Sequence, residues 1–502
     1  MSSISFLSRI LQPRKATGLL YLACAFAASA QAANIATPAV VSPDAGSLQT
    51  ALMQNMDGHE HIATDPYLQT MQAAQGGQVD AKFNLGWMYQ TGTGVKQDGA
   101  MAAYWYERAA VKGYSDAMNN LGELYQTGKG TEKNYVRAAQ WYRKAAESGN
   151  ANAMSNLGAM YRAGLGVAQD DVQAAQWFRK AADAGSANAM NALGELHLSG
   201  KGVDKNLAHS AQWFHDAAKA GNAAGMFNLA QAYLHGQGVP IDEAAAAQWL
   251  HKAAAKGNAA AMTHLGDLYD DGKGVTKSSA VAVEWYRKAA RSGDKTGMNN
   301  LGVMYQAGTG VERDLVEAAE WYRKAAEAGD ASAMSNLATL YANGMGVAPN
   351  QTQAMHWYHK AAEAGHVRAM LVLASRYHAG NGVQQSDAQS AHWFLKAARA
   401  GHAGAMNNLG VLYQHGKGVK QDHAQAAAWY RKAAEAGVAA GMFNLGMMYE
   451  TGHGIAHNAM EAMRWFLAAA EAGDEDAIAK LNTLAQAGRL EEYRLARSAT
   501  KR

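Results

Sequence analysis

Leu301 to Asp314 reads LGVMYQAGTGVERD, and near copies of this stretch recur through most of the 502-residue chain. An apolar segment runs into a Gly-x-Gly loop, the place where a phosphate-cradling turn would sit. Gly308 and Gly310 have neither the P-loop spacing nor its Lys-Ser/Thr pair, and the same pair of glycines stands in all eleven copies. A phosphate site would not be needed eleven times. The loop reads instead as a turn. Glycine accepts the positive φ of a helix end without a Cβ clash, Val311 pins the turn, and Asp314 offers a carboxylate to the free N–H groups of a second helix.

The period is strict. The leucine recurs at Leu85, Leu121, Leu157, Leu193, Leu229, Leu265, Leu301, Leu337, Leu373, Leu409 and Leu445, always 36 residues apart. Tryptophan keeps the same beat from Trp105 through Trp285 to Trp465. Seven residues before each tryptophan stands Asp, Asn or Ser, as at Asp98, Asn134, Ser278 and Asp422. Identity varies there while capping ability does not, as an N-cap requires. In the third copy Ala153, Leu157 and Tyr161 share one helical face, and Ala174, Trp177 and Ala181 share a face of the next helix. The fold class that follows is all-α: an α/α solenoid of eleven 36-residue helix–turn–helix repeats over residues 78–473.

The ends differ from the repeats. Residues 65–77 read as an N-terminal capping helix, with Asp65 as its cap and Gln69 where tryptophan would stand. Residues 474–502 read as a C-terminal capping helix, in which Ala477 and Leu481 keep the phase, followed by a basic tail. Residues 1–32 carry Arg9, Arg14 and Lys15, an apolar run from Ala16 to Ala30, and small residues at Ala30 and Ala32. This is a secretory signal pattern with cleavage after Ala32. Residues 33–64 read as a flexible lead-in. The sole cysteine, Cys24, lies in the apolar run, and Tyr21 stands where a lipobox has leucine. The expected mature chain is periplasmic or secreted, lacks cysteine and carries no integral membrane segment. A net charge of +3 gives no sign of a nucleic-acid partner.

The pattern Ala-x-x-x-Leu-Gly-x-x-Tyr-x-x-Gly-x-Gly-Val, then Asp or Asn, Ala-x-x-Trp and Ala-Ala-x-x-Gly, resembles the Sel1-like repeat, a relative of the tetratricopeptide repeat. The resemblance covers about residues 66–488. It implies α/α hairpins stacked into a right-handed superhelix whose first helices line a concave groove, and scaffold or adaptor work on protein or peptide partners. For secreted bacterial members it implies roles in envelope processes or host interaction. A cysteine-rich branch carries a disulfide in each repeat and a link to penicillin binding. This chain departs from that branch, so neither property is carried over.

The residue before each leucine is asparagine at Asn84, Asn120, Asn156, Asn228, Asn300, Asn336, Asn408 and Asn444. Such a ladder offers donors and acceptors to an extended peptide, or it bonds neighbouring repeats and sets their stacking. Two residues after the leucine the side chain varies. Glu123, Glu195 and Asp267 make the early part of that stripe acidic, and Val303, Val411 and Met447 make the later part apolar. Ten methionines stand three before the leucine and read as packing rather than copper ligation. The lysines three after tryptophan read as a solvated stripe paired with acids three residues on, as Lys144 with Glu147 and Lys324 with Glu327.

Enzyme signatures fail. Ser292-x-x-Lys295 and Lys295-Thr296-Gly297 claim the same lysine at a repeat boundary, and His59-x-His61 lacks a third ligand. The chain reads as a non-enzymatic scaffold without cofactor, binding proteins or extended peptides. A cell-wall protein contacting peptidoglycan or its enzymes is the alternative, and a secreted effector toward a host is a further one.

Overall fold

A computed structural model describes residues 65–486. The signal, lead-in and basic-tail assignments fall on residues 1–64 and 487–502, outside the described residues. The eleven repeats lie within one compact unit that begins at Thr70. Among the described residues there are 24 helices and no strand. Each repeat is a pair of helices, such as Lys295–Ala307 with Leu315–Glu327. The two helices of a pair pack on each other, and the second packs on the first helix of the next repeat, giving an α solenoid. The helices Pro66–Gln75 and Glu475–Gln486 lie before and after the repeats.

Gly308 ends the first helix at φ 71°, its N–H donating to the Met304 carbonyl at 2.9 Å. The Asp314 N–H returns to the Tyr305 carbonyl at 3.0 Å, and the same bond closes the hairpin in all eleven repeats. The Asp314 carboxylate accepts from the N–H groups of Val316 and Glu317 at 2.9 and 3.0 Å. All eleven second-helix caps accept in this way through Asp, Asn or Ser. Gly310, also at φ 71°, has a further duty. A Cβ there would overlap the backbone of Ser279 in the preceding repeat. The loop is therefore a hinge within one repeat and a contact onto its neighbour.

The core differs from the expected face in one respect. In ten repeats the buried ring is the residue after the recurring tryptophan, as at Tyr106, Tyr142, Tyr322 and Phe466, whereas Trp177 and most other tryptophans are only half-buried. The ring needs space on the facing helix. A Cβ at Gly302 would stand 2.8 Å from Tyr322 ring carbons, and eight repeats keep glycine opposite the ring. In the fifth repeat Ala230 replaces that glycine and Leu250 replaces the ring.

Gly302→Ala therefore sets helix propensity, which favours alanine by about 1 kcal/mol, against overpacking of about 1–3 kcal/mol. We expect a net loss of stability in urea unfolding; a rise would remove the ring-on-glycine account. Two first-helix caps are histidines, with His366 and His402 Nδ1 accepting the N–H of Ala369 and Ala405 at 3.2 and 3.1 Å. Only a neutral ring can accept there. Burial holds both rings below the usual histidine pKa, helped at His366 by the Arg368 charge. The unfolded chain then binds these protons more readily, so stability is full above about pH 6.5 and falls as pH drops below it. His366→Asn with His402→Asn should flatten the melting temperature between pH 7 and 5; an unchanged slope would show that these caps are not its source.

Candidate functional site

The asparagine row lies along the first helices, at one-repeat spacing. Seven of the eight side chains are half-buried and Asn84 is exposed. Five reach into the preceding repeat. Asn156, Asn228, Asn336 and Asn444 donate through Nδ2 to the Oδ1 of Asn119, Asn191, Asn299 and Asn407 at 2.9–3.0 Å. Asn300 donates to Asp267 Oδ1 at 3.2 Å. Asn120 accepts from its neighbour Asn119 at 3.3 Å. Neither Asn84 nor Asn408 makes a side-chain bond to another described residue.

The acceptors were not singled out from the sequence, although the pairs Asn119-Asn120, Asn299-Asn300 and Asn407-Asn408 display them. They stand two residues before the leucine, and Asn191, Asn299 and Asn407 are buried. At Ser155 and Thr263 the same position bonds instead to the next first-helix cap, Ser186 and Asp294, both at 2.8 Å. In these six repeats the position is a polar peg between repeats.

The variable stripe is less free than its sequence implies. Glu195 pairs with Arg162 at 2.8 Å and accepts from Asn191. Asp267 accepts from the Tyr286 hydroxyl at 2.8 Å and faces His264 at 3.6 Å. Burial raises the Asp267 carboxyl and lowers the His264 ring, the hydrogen bond from Tyr286 partly offsetting the first. The exposed members are Trp87, Glu123, Ala159 and Val303.

The second helices carry a stripe whose partner differs from the expected one. No ion pair joins Lys144 to Glu147 or Lys324 to Glu327. The lysine ammonium lies over the tryptophan three residues before it, at 3.8–4.9 Å from the ring centroid in eight repeats. Such contacts contribute about 0.5–1 kcal/mol each at exposed sites. The residue two after tryptophan reaches the next repeat. Arg143, Arg287 and Arg431 donate to the hydroxyls of Tyr161, Tyr305 and Tyr449 at 2.6–3.3 Å. His251 and His359 bond to Tyr269 and Tyr377 and meet Trp285 and Trp393 edge-on. The tryptophan beat thus records a seam between repeats.

Lys295 opens a helix and donates to the Gly329 carbonyl at 3.0 Å, so the penicillin-binding triplet serves a repeat junction. Among the described residues no cluster of His, Cys, Asp and Glu could hold a metal ion. No described helix is long and apolar enough to cross a membrane.

With this geometry in place, the comparisons are decisive for the family. The Sel1 repeat model matches eleven consecutive segments, from residues 79–114 to residues 439–474. The chain belongs to the Sel1 repeat family. A solved protective antigen of uropathogenic Escherichia coli strains, displaying the SLR fold, is 34% identical over 86% of this chain and 93% of its own, with a TM-score of 0.53. A Sel1 repeat protein from Oxalobacter formigenes is 31% identical over 62% of this chain and 89% of its own, with a TM-score of 0.46. No curated protein matches the chain. Solenoids of Sel1 repeats are typically protein-interaction scaffolds.

The pegs can be weighed separately. Asn336→Ala leaves the buried Asn299 oxygen without its donor and should lower stability by about 1–3 kcal/mol. Asn408→Ala removes no such bond and should change it by less than about 0.5 kcal/mol. Equal effects in thermal melts would show that the amide bridges do not set the stacking.

Proposed function

We propose that this chain is a non-enzymatic scaffold exported to the periplasm or beyond, binding a protein or extended peptide along its first helices. The observation that carries the reading is the row of half-buried amides at one-repeat spacing. Each bridging Asn uses one N–H on its neighbour and keeps a second N–H to offer. An extended backbone carries donors and acceptors in the same sense, and strand-like peptides are taken by such rows.

Export rests on the charged, apolar and small-residue order of residues 1–32. A second reading, a role outside the cell toward a host, is favoured by the 34% identity to a protective antigen. Two measurements separate these. Mass spectrometry of the full chain expressed in a Gram-negative host should find a mature N-terminus at Ala33, and an intact Met1 would end the export reading. Pull-down from envelope extract should recover one stoichiometric protein partner. Retention on purified wall sacculi with no protein partner would replace the scaffold by a wall-contacting role.

A further inference from the structure

One junction departs from all the others. Three residues after the leucine, ten repeats place a buried Leu, Met or Ala, including Leu340 and Leu412 on either side. The ninth places Arg376. Its Nη1 donates to Gln351 Oε1 at 2.8 Å and to the Asn381 carbonyl at 3.5 Å. The guanidinium carbon lies 5.3 Å from the centre of the Tyr358 ring. Among the described residues no carboxylate pairs with it, and its Nε and Nη2 hydrogens meet no protein acceptor.

The loop responds to this arginine. At the flanking junctions Gly346 and Gly418 press on the backbone of Leu315 and Asp387, where the preceding second helix begins. The equivalent Gly382 does not reach that backbone. A Cβ there would first meet Gln351 Oε1 at 3.0 Å and Arg376 Nη1 at 3.3 Å. The Gln–Arg pair is wedged between loop and helix, and beside it opens a cleft of about 420 Å³ lined by Gln351, Arg376, Asn381 and Gly382. Gln351 is held in turn, its Nε2 donating to the Ala342 carbonyl at 2.9 Å. Its oxygen therefore faces the guanidinium and fixes that group's orientation.

We propose that this seam between the eighth and ninth repeats is a carboxylate-binding site, in which Arg376 pairs with an acidic group of the bound peptide. The proposal rests on the scaffold reading and names one feature of its partner. A planar guanidinium with two free N–H directions matches a carboxylate in bidentate fashion. The cleft falls in the size range of small ligand sites. A charge that displaces a core side chain and lifts a loop breaks two local rules at once, and such breaks concentrate where a site is used.

The test uses the full chain and Arg376→Leu, which restores the side chain of the flanking repeats and should melt no lower than the wild type. A dye-labelled tetraglutamate peptide, followed by fluorescence polarisation at about 0.15 M salt so that distant lysines are screened, should bind saturably to the wild type. Binding should fall at least tenfold in Arg376→Leu, and tetraglutamine should not bind. Equal affinity in both proteins, or no saturable binding, overturns the site. Displacement of tetraglutamate by inorganic phosphate at lower concentration than by acetate overturns its carboxylate assignment. The envelope pull-down separates the two levels. A partner retained equally by Arg376→Leu removes the site and leaves the scaffold, whereas no partner for either protein removes the scaffold and leaves the peptide titration to decide the site.

Discussion

The close packing of the two helices rests, in eight of the eleven repeats, on a ring lying against bare backbone. Tyr322 lies over Gly302, and its hydroxyl leaves the apolar layer only to reach Gln306 at 2.6 Å. Because no Cβ stands between them, the two helices come close enough to bury Leu301 and the alanines around it completely. The same hairpin is closed by the Asp314 N–H on the Tyr305 carbonyl. Burial raises the Tyr322 hydroxyl well above its usual range and pushes Tyr106 up to about 12. Where the fifth repeat adds a methyl group at Ala230, Leu250 takes the place of the ring, whereas the eighth and ninth repeats keep Tyr358 and Phe394 opposite Ala338 and Ala374.

Stacking of repeats follows a different rule. The seams are closed by groups that must find one specific partner: an amide on an amide, a guanidinium or an imidazole on a phenol. Apolar contact alone tolerates sliding, whereas a buried Asn299 or Asn407 is satisfied at a single offset from the next repeat. The loop glycine adds a steric stop, since Gly310 meets Ser279 at one height only. Polar pegs set the register and the small-residue layer supplies the cohesion.

Much of this was legible in the residues. Period, caps and hinge could be read because each is a local property, decided within a few residues of Asp314 or Gly308. The seams could not, because their partners lie about 36 residues away and the offset is not constant. Asn156 reaches Asn119 across 37 positions, while Asn300 reaches Asp267 across 33. Tryptophan misled for a related reason. Its regularity resembles that of a core residue, yet most copies are half-buried and eight of them meet a lysine three residues on. The partners of Glu195 and Asp267 were not legible, because Arg162 lies 33 residues away in the preceding repeat and Tyr286 on the facing helix.

Near-identical copies also create a problem for recognition. A ligand bound only by recurring groups, such as the asparagine row, can be shifted by one repeat and find almost the same contacts, so its register is degenerate. Recurrence contributes affinity, but location must come from a residue that occurs once. The ninth repeat supplies such a residue in Arg376, which takes the place of the core side chain, and Val372 and Ala374 beside it also depart from the commoner asparagine and glycine. Phe394 opposite Ala374 is the least buried of the core rings, at 9% exposure, so the local packing is looser there. A solenoid that keeps an apolar side chain at this position in ten repeats and places an arginine in the ninth has a marked position along its length. An extended partner laid on the row would be held by the recurring amides and fixed in place by that mark.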